Sequence, residues 1–262
     1  NSCEAFTTLN LVVMALPGSN SNPTQMELCN DSGFDYFDLT SRELEMAGAT
    51  PINTINFRYY TELPDALANA NTNRITTPSN FLNTTINFQK IYVRLNSRTN
   101  IDSETGIACF KILELDLYVR PYPVNYLLNE PYTICIDQLN NITYPVEIKT
   151  QLNSTDYTFQ WYNGHDAVAG NEIIGQTGTS FTTSTVGQYS VVVTNISNAA
   201  NCSSTFNLST QNSIVPNSVT INPNELIAFG TENTVTAIVT PISNDYLYSI
   251  DGTYFQSSNV FT

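Results

Sequence analysis

The sequence predicts an all-β chain: tandem immunoglobulin-like β-sandwich modules, disulfide-bridged, with a partial third module. Three observations predict it. Cys109 follows Cys3, Pro123 follows Pro17 and Cys135 follows Cys29 by the same 106 residues, and Cys202 to Pro216 reads as another copy of Cys109 to Pro123. A period near one hundred residues is too long for a solenoid unit and matches one small domain. Within the repeated stretch Leu113, Leu115, Leu117 and Val119 alternate with Glu114, Asp116 and Tyr118, and Leu9, Leu11 and Val13 repeat the pattern. That is the period of a strand with one buried face. Short strand-like segments separated by Asn, Gly and Ser turns then follow throughout the second repeat, the pattern of an all-β sandwich.

Taken in order, residues 1–17 are expected to be the closing strand of a preceding module, which makes the chain a fragment of a longer array. Module one is assigned to 18–122, after a polar linker at 18–28. It is expected to contain a strand at Tyr36 to Thr40 and a short helix near 41–48, with Thr40 as cap, Glu43 three residues on and Gly48 as stop. Leu44 and Ala47 are expected to face the sheet. Further strands are read within INTINFRYY at 52–60, where Ile55, Phe57 and Tyr59 alternate with Asn56 and Arg58, and at 91–95, with one helical turn at 64–70 and the closing strand from Cys109. Module two is assigned to 123–216, with YTICI, YPVEIKT, YTFQWYNG, TSFTTST, GQYSVVVTN and CSSTFNLST as strands. The sole tryptophan, Trp161, is expected in its core, with Val191 and Val193 as neighbours. Residues 217–262 read as a partial third module, with NTVTAIVT as a strand and Asp251-Gly252 as a hairpin turn.

The chain has 262 residues, 41% of them hydrophobic and 12% charged, with nine Lys plus Arg against 23 Asp plus Glu for a net charge of −14. Such a surface repels phosphate backbones and anionic lipid, which argues against nucleic-acid binding and membrane insertion. No 18-residue apolar run and no basic N-terminal segment is present, so no membrane helix or signal peptide is read. Five dispersed cysteines and a single histidine favour an oxidising compartment over a zinc site. The pairing Cys29–Cys109 and Cys135–Cys202 places one bridge in each module and leaves Cys3 without a partner. The alternative, Cys3–Cys29 with Cys109–Cys135, staples neighbouring modules across their linkers.

FDLT at 37–40, YY at 59–60, IYVR at 91–94 and the TG…CF ending at 110 resemble a repeat of the giant surface adhesins of Bacteroidetes, gliding adhesins among them. WYNG and GQYSVVVTN in module two look like the immunoglobulin-like repeats of the same proteins, and YSIDGTYFQSSNVF resembles the unit that often precedes their C-terminal sorting domain. The resemblance implies an extracellular, cell-surface, non-catalytic spacer and binding array, exported through the type IX secretion machinery, with other modules of the same chain and a surface polysaccharide or protein as partners. A carbohydrate-binding accessory region of a secreted polysaccharide-degrading enzyme is the rival reading. The turn CNDSGFD is shorter than the Asp-rich, calcium-loop type that relatives often carry.

Four acidic residues, Asp31, Asp35, Asp102 and Glu104, have the oxygen chemistry for calcium if a Cys29–Cys109 bridge gathers them. No other cofactor is expected. Tyr59, Tyr60, Tyr122, Tyr126 and Tyr162 are candidates for a sugar platform, weighed against ordinary packing of strand tyrosines. His165 beside Asp166 is read as an exposed turn rather than a catalytic pair, because adjacency in sequence does not produce the geometry of a base and its orienting acid. Asn-x-Ser/Thr sequons occur at Asn30, Asn83, Asn141, Asn153, Asn195, Asn201 and Asn207.

Overall fold

A computed structural model describes residues 13–103, 106–137, 139–224, 234–244 and 246–261. Strands make up 44% of it and helix 9%. Two compact units result: Asn1–Tyr122 together with Asn198–Cys202, and Pro123–Ser197 together with Ser203–Thr262. The expected strand at the chain start lies mostly outside the described residues, and residues 13–17 are not in a strand.

In the first unit, β1 (Met26–Cys29) is followed by β2 (Tyr36–Phe37), a 3₁₀ turn (Leu39–Arg42), α1 (Glu43–Ala47) and β3 (Ile55–Tyr60). Then come α2 (Leu63–Ala68), β4 (Arg74–Ile75), β5 (Phe81–Leu82), β6 (Phe88–Ile101) and β7 (Ala108–Arg120). The main sheet has the order β1-β7-β6-β3-β4, while β2 pairs with β5 in a small second sheet. The closing strand β7 is central rather than peripheral. Its Leu113, Leu115, Leu117 and Val119 are all at most 2% exposed, and they share a core with Ile91, Val93 and Leu95 of β6 and with Phe37, Leu39 and Met46. Burial of each such side chain contributes about 1.5–3 kcal/mol.

The helical segment departs in detail from the capping pattern. Asp38, not Thr40, is the cap, because its carboxylate accepts the Thr40 N–H at 3.0 Å and so starts the turn two residues earlier. Gly48 does stop the helix, with φ of 55°. The turn that precedes α1 rotates its buried face to Met46 and Ala47, leaving Leu44 72% exposed.

In the second unit, β8 (Tyr132–Ile136), β9 (Ile142–Tyr144), β10 (Val146–Lys149), β11 (Tyr157–Asn163), β12 (Ser180–Thr183), β13 (Gln188–Asn195) and β14 (Ser203–Ile214) form two sheets, β10-β12 and β11-β13-β14-β8-β9. This is the strand order of an immunoglobulin-like sandwich, with β8 running parallel to the last strand β14. Trp161 on β11 is fully buried in one core with Val191, Val193 and Ile148, and its indole N–H donates to the Gly178 carbonyl at 2.9 Å. Antibody domains place an inter-sheet disulfide beside that tryptophan; here aliphatic and aromatic side chains fill the core, with the Phe181 ring centre 5.4 Å from that of Trp161. The Tyr189 hydroxyl, near the start of β13, donates to the Thr185 carbonyl at 2.8 Å, a tyrosine corner. The same unit includes a three-stranded sheet of β15 (Ser218–Asn224), β16 (Thr234–Thr240) and β17 (Val260–Phe261). Among the described residues Ala237 and Val239 of β16 are buried in it, and Asp251 and Gly252 make the turn expected of them, with the Asp251 carboxylate accepting the Thr253 and Tyr254 N–H groups.

Candidate functional site

The two units share one register. β1 runs parallel to β7 with Cys29 opposite Arg120, and β8 runs parallel to β14 with Cys135 opposite Ser213. The closing-strand cysteines, Cys109 and Cys202, each precede those partners by the same stretch of chain. At about 3.3 Å per residue the two cysteines of a repeat stand on the order of 35 Å apart along the closing strand, whereas a disulfide needs Cα atoms within about 7 Å. The pairings Cys29–Cys109 and Cys135–Cys202 are therefore both corrected. Equal spacing along the chain identified the repeat, but the parallel pairing of first and last strands puts the two cysteines of each repeat at opposite ends of its sheet.

The bond that forms is Cys29–Cys202, with Cα atoms 5.6 Å apart and a sequence separation of 173 residues. It lies in the first unit, which includes Asn198–Cys202, the segment between β13 and β14. Cys202 is 1% exposed. Cys109 and Cys135 are free and half-buried among the described residues; Cys3 lies outside them.

Charged groups brace the bridge. Glu27, two residues before Cys29 on β1, has a side chain only 3% exposed and accepts from Arg120 Nε at 3.0 Å. The Arg120 guanidinium in turn lies 4.1 Å above the centre of the Tyr118 ring. Burial pushes the Glu27 carboxyl up, but the hydrogen bond and charge of Arg120, with bonds from Gln25 and the Ala200 backbone N–H, outweigh it and hold the carboxyl below its ordinary range. Glu27 thereby ties the 198–202 segment to β1 independently of the sulfurs.

The other candidates are not gathered. Among the described residues no group of three or more His, Cys, Asp or Glu side chains comes together. Asp31 accepts the Tyr122 N–H at 2.9 Å, a bond across 91 residues of chain, and Asp35 accepts the N–H of its neighbour Tyr36 at 2.8 Å. Glu104 lies outside the described residues, and the Cys29–Cys109 bridge that was to bring the set together is absent. Tyr59 and Tyr60 are buried; Tyr59 donates to Glu43, and burial followed by that bond raises its pKa far above the usual tyrosine range. Tyr122 and Tyr126 are exposed, the former in the first unit and the latter in the second. The Asp166 carboxylate accepts from Asn207, and no hydrogen bond joins it to the exposed His165. Asn83 is 2% exposed and donates to the Gly33 and Thr85 carbonyls, so that sequon is closed to modification.

Residues 25–123 match a family model described as the Flavobacterium inter-domain disulphide bond domain. No curated protein sequence matches the chain. Solved structures that align with it include the N-terminal four Ig domains of Dscam1 isoform 6.9, at 14% identity, 79% of this chain, 48% of that chain and a TM-score of 0.30. A SusE-like surface located polysaccharide binding protein from the Bacteroides thetaiotaomicron heparin utilisation locus aligns at 12% identity over 79% of this chain and 36% of that one, with a TM-score of 0.25. The chain thus spans less than half the length of either. The immunoglobulin-like assignment rests on the strand order, buried tryptophan and tyrosine corner of the second unit.

Proposed function

We propose that the chain is a non-catalytic segment of an extracellular or cell-surface adhesin, working as a spacer and binding array and exported through the type IX secretion machinery. The observation that carries this reading is the Cys29–Cys202 bond. A structural disulfide persists in an oxidising compartment, and this one closes 173 residues rather than stapling one small sandwich whose apolar core is already complete. The matched family, described by an inter-domain disulphide bond, supports the same role. In an array of such modules the free Cys109 occupies the position of Cys202, and Cys135 that of Cys29, so one bond repeated at successive junctions would make a covalently continuous stalk.

The test uses intact cells of the source organism. Surface proteolysis and non-reducing peptide mapping should find peptides of this chain outside the cell, with Cys29 joined to Cys202. Recovery only from the cytosol with reduced thiols overturns the proposal. The rival, an accessory region of a secreted polysaccharide-degrading enzyme, is decided by the parent gene: a catalytic domain in the same chain establishes it, and further modules of this kind exclude it.

A further inference from the structure

The face of the first unit's main sheet that points away from the aliphatic core carries a cleft of about 690 Å³, whose lining includes Asn56, Arg58, Asn69, Arg94, Asn96 and Phe110. Strand alternation places these residues together. On β3, Ile55, Phe57 and Tyr59 turn inward, which leaves Asn56 and Arg58 on the opposite face; on β6, Ile91, Val93 and Leu95 turn inward, which leaves Arg94 and Asn96 there. The register sets Arg58 directly opposite Arg94 and Asn56 opposite Asn96.

Two like charges directly across a strand pair destabilise a sheet, and here one of them is also out of water. Arg94 is 5% exposed. Its Nη1 donates to the Ala66 and Leu67 carbonyls at the end of α2, both at 2.9 Å, its Nε donates to Asn96 at 2.8 Å, and its guanidinium lies 3.3 Å from the centre of the Phe110 ring. Its remaining terminal nitrogen, Nη2, donates to no group among the described residues. Arg58 donates through Nη1 to Asn69 at 2.6 Å, while its buried Nε has no acceptor. Neither arginine has a carboxylate partner among the described residues. On the same face of β7, Glu114 accepts from Lys90, and Asp116 Oδ1 lies 3.9 Å from the same ammonium. In a chain of charge −14 with only nine basic residues, an unneutralised arginine pair in a cleft is costly to keep. Among the described residues every acceptor for the pair is neutral, which leaves the pair open to an anion from outside.

We propose that this cleft binds an acidic saccharide, with its carboxylate or sulfate between Arg58 and Arg94. A planar guanidinium fork suits either oxyanion. The Asn56 amide supplies a donor and an acceptor for sugar hydroxyls, the Asn69 amide nitrogen a further donor, and Phe110 an apolar floor, the mixture expected of a small-ligand site. The volume accommodates a few sugar units. The proposal does not rest on the adhesin reading, and its failure leaves the covalent stalk untouched.

The test is isothermal titration of the full chain with trigalacturonate, with galactose 4-sulfate and with neutral galactotriose, at low and physiological salt. At least one acidic probe is expected to bind at least tenfold more tightly than galactotriose, with affinity falling as salt rises. R58Q is expected to weaken that binding at least tenfold, and R74Q, which alters an arginine outside the cleft, to leave it unchanged. Should R58Q fail to fold by circular dichroism, R58K keeps the charge, loses the fork and is expected to show a severalfold loss. Equal binding of neutral and acidic probes, no binding of either acidic probe at millimolar concentration, or full affinity in the folded Arg58 variants each overturns the proposal. Stabilisation by inorganic sulfate without saccharide binding overturns the saccharide assignment.

Discussion

Removing the Cys29–Cys202 bond tests the central structural claim, and its size follows from the chain it closes. With a separation of 173 residues, the loop-entropy relation gives about 5 kcal/mol when the whole closed segment unfolds together. The figure is an upper one, because a second unit that stays folded shortens the effective loop. The C29S/C202S double variant leaves no new unpaired thiol, and its thermal unfolding can be compared with the parent under identical conditions. At about 2–4 °C per kcal/mol for a unit of this size, the melting temperature by far-UV circular dichroism should fall by roughly 10–20 °C. Trp161, the single tryptophan, reports on the second unit alone through its fluorescence. That transition should move less than the circular dichroism transition, because the bond lies in the first unit. C109S and C135S, each lacking only a free thiol, should shift either signal by no more than a few degrees. A double variant that melts with the parent, or peptide maps joining Cys29 to Cys109, would refute the register argument from which the bond was explained.

Three further outcomes follow from the packing. W161A empties a fully buried site and breaks the Gly178 bond; it should cost about 3–5 kcal/mol, read by urea unfolding followed through circular dichroism. Y189F keeps the ring and removes the hydroxyl that reaches Thr185, and should cost about 1 kcal/mol. The Glu27 carboxyl is held below its unfolded value of 4.5. Its contribution is therefore complete above that value and lost as pH falls through the lower folded value; E27Q should flatten the stability profile across that acid window and leave its shape above pH 6 unchanged, which denaturation at a series of pH values will show.

Much of the architecture was legible because it depends on local periodicity. The alternation in β7 identified a strand with one fully buried face, Gly48 marked the end of α1, and Trp161 announced the core of the second unit. Local chemistry was less legible where two signals competed. Asp38 and Thr40 are both good caps, and only the backbone path selects Asp38. The arginine cleft had a signal in INFRYY and IYVRL, which put Arg58 and Arg94 off the core face. That the two stand opposite each other required the pairing of β3 with β6.

By itself, the sequence determined the all-β class, the repeat of 106 residues, the buried face of the closing strand β7 and the acidic character of the chain. These follow from side-chain chemistry read at periods of two residues and of one module. The tertiary structure decided which cysteines meet, because a disulfide depends on distance in space. Parallel pairing of β1 with β7 and of β8 with β14 carries the two cysteines of each repeat to opposite ends of its sheet, a separation that no spacing along the chain records.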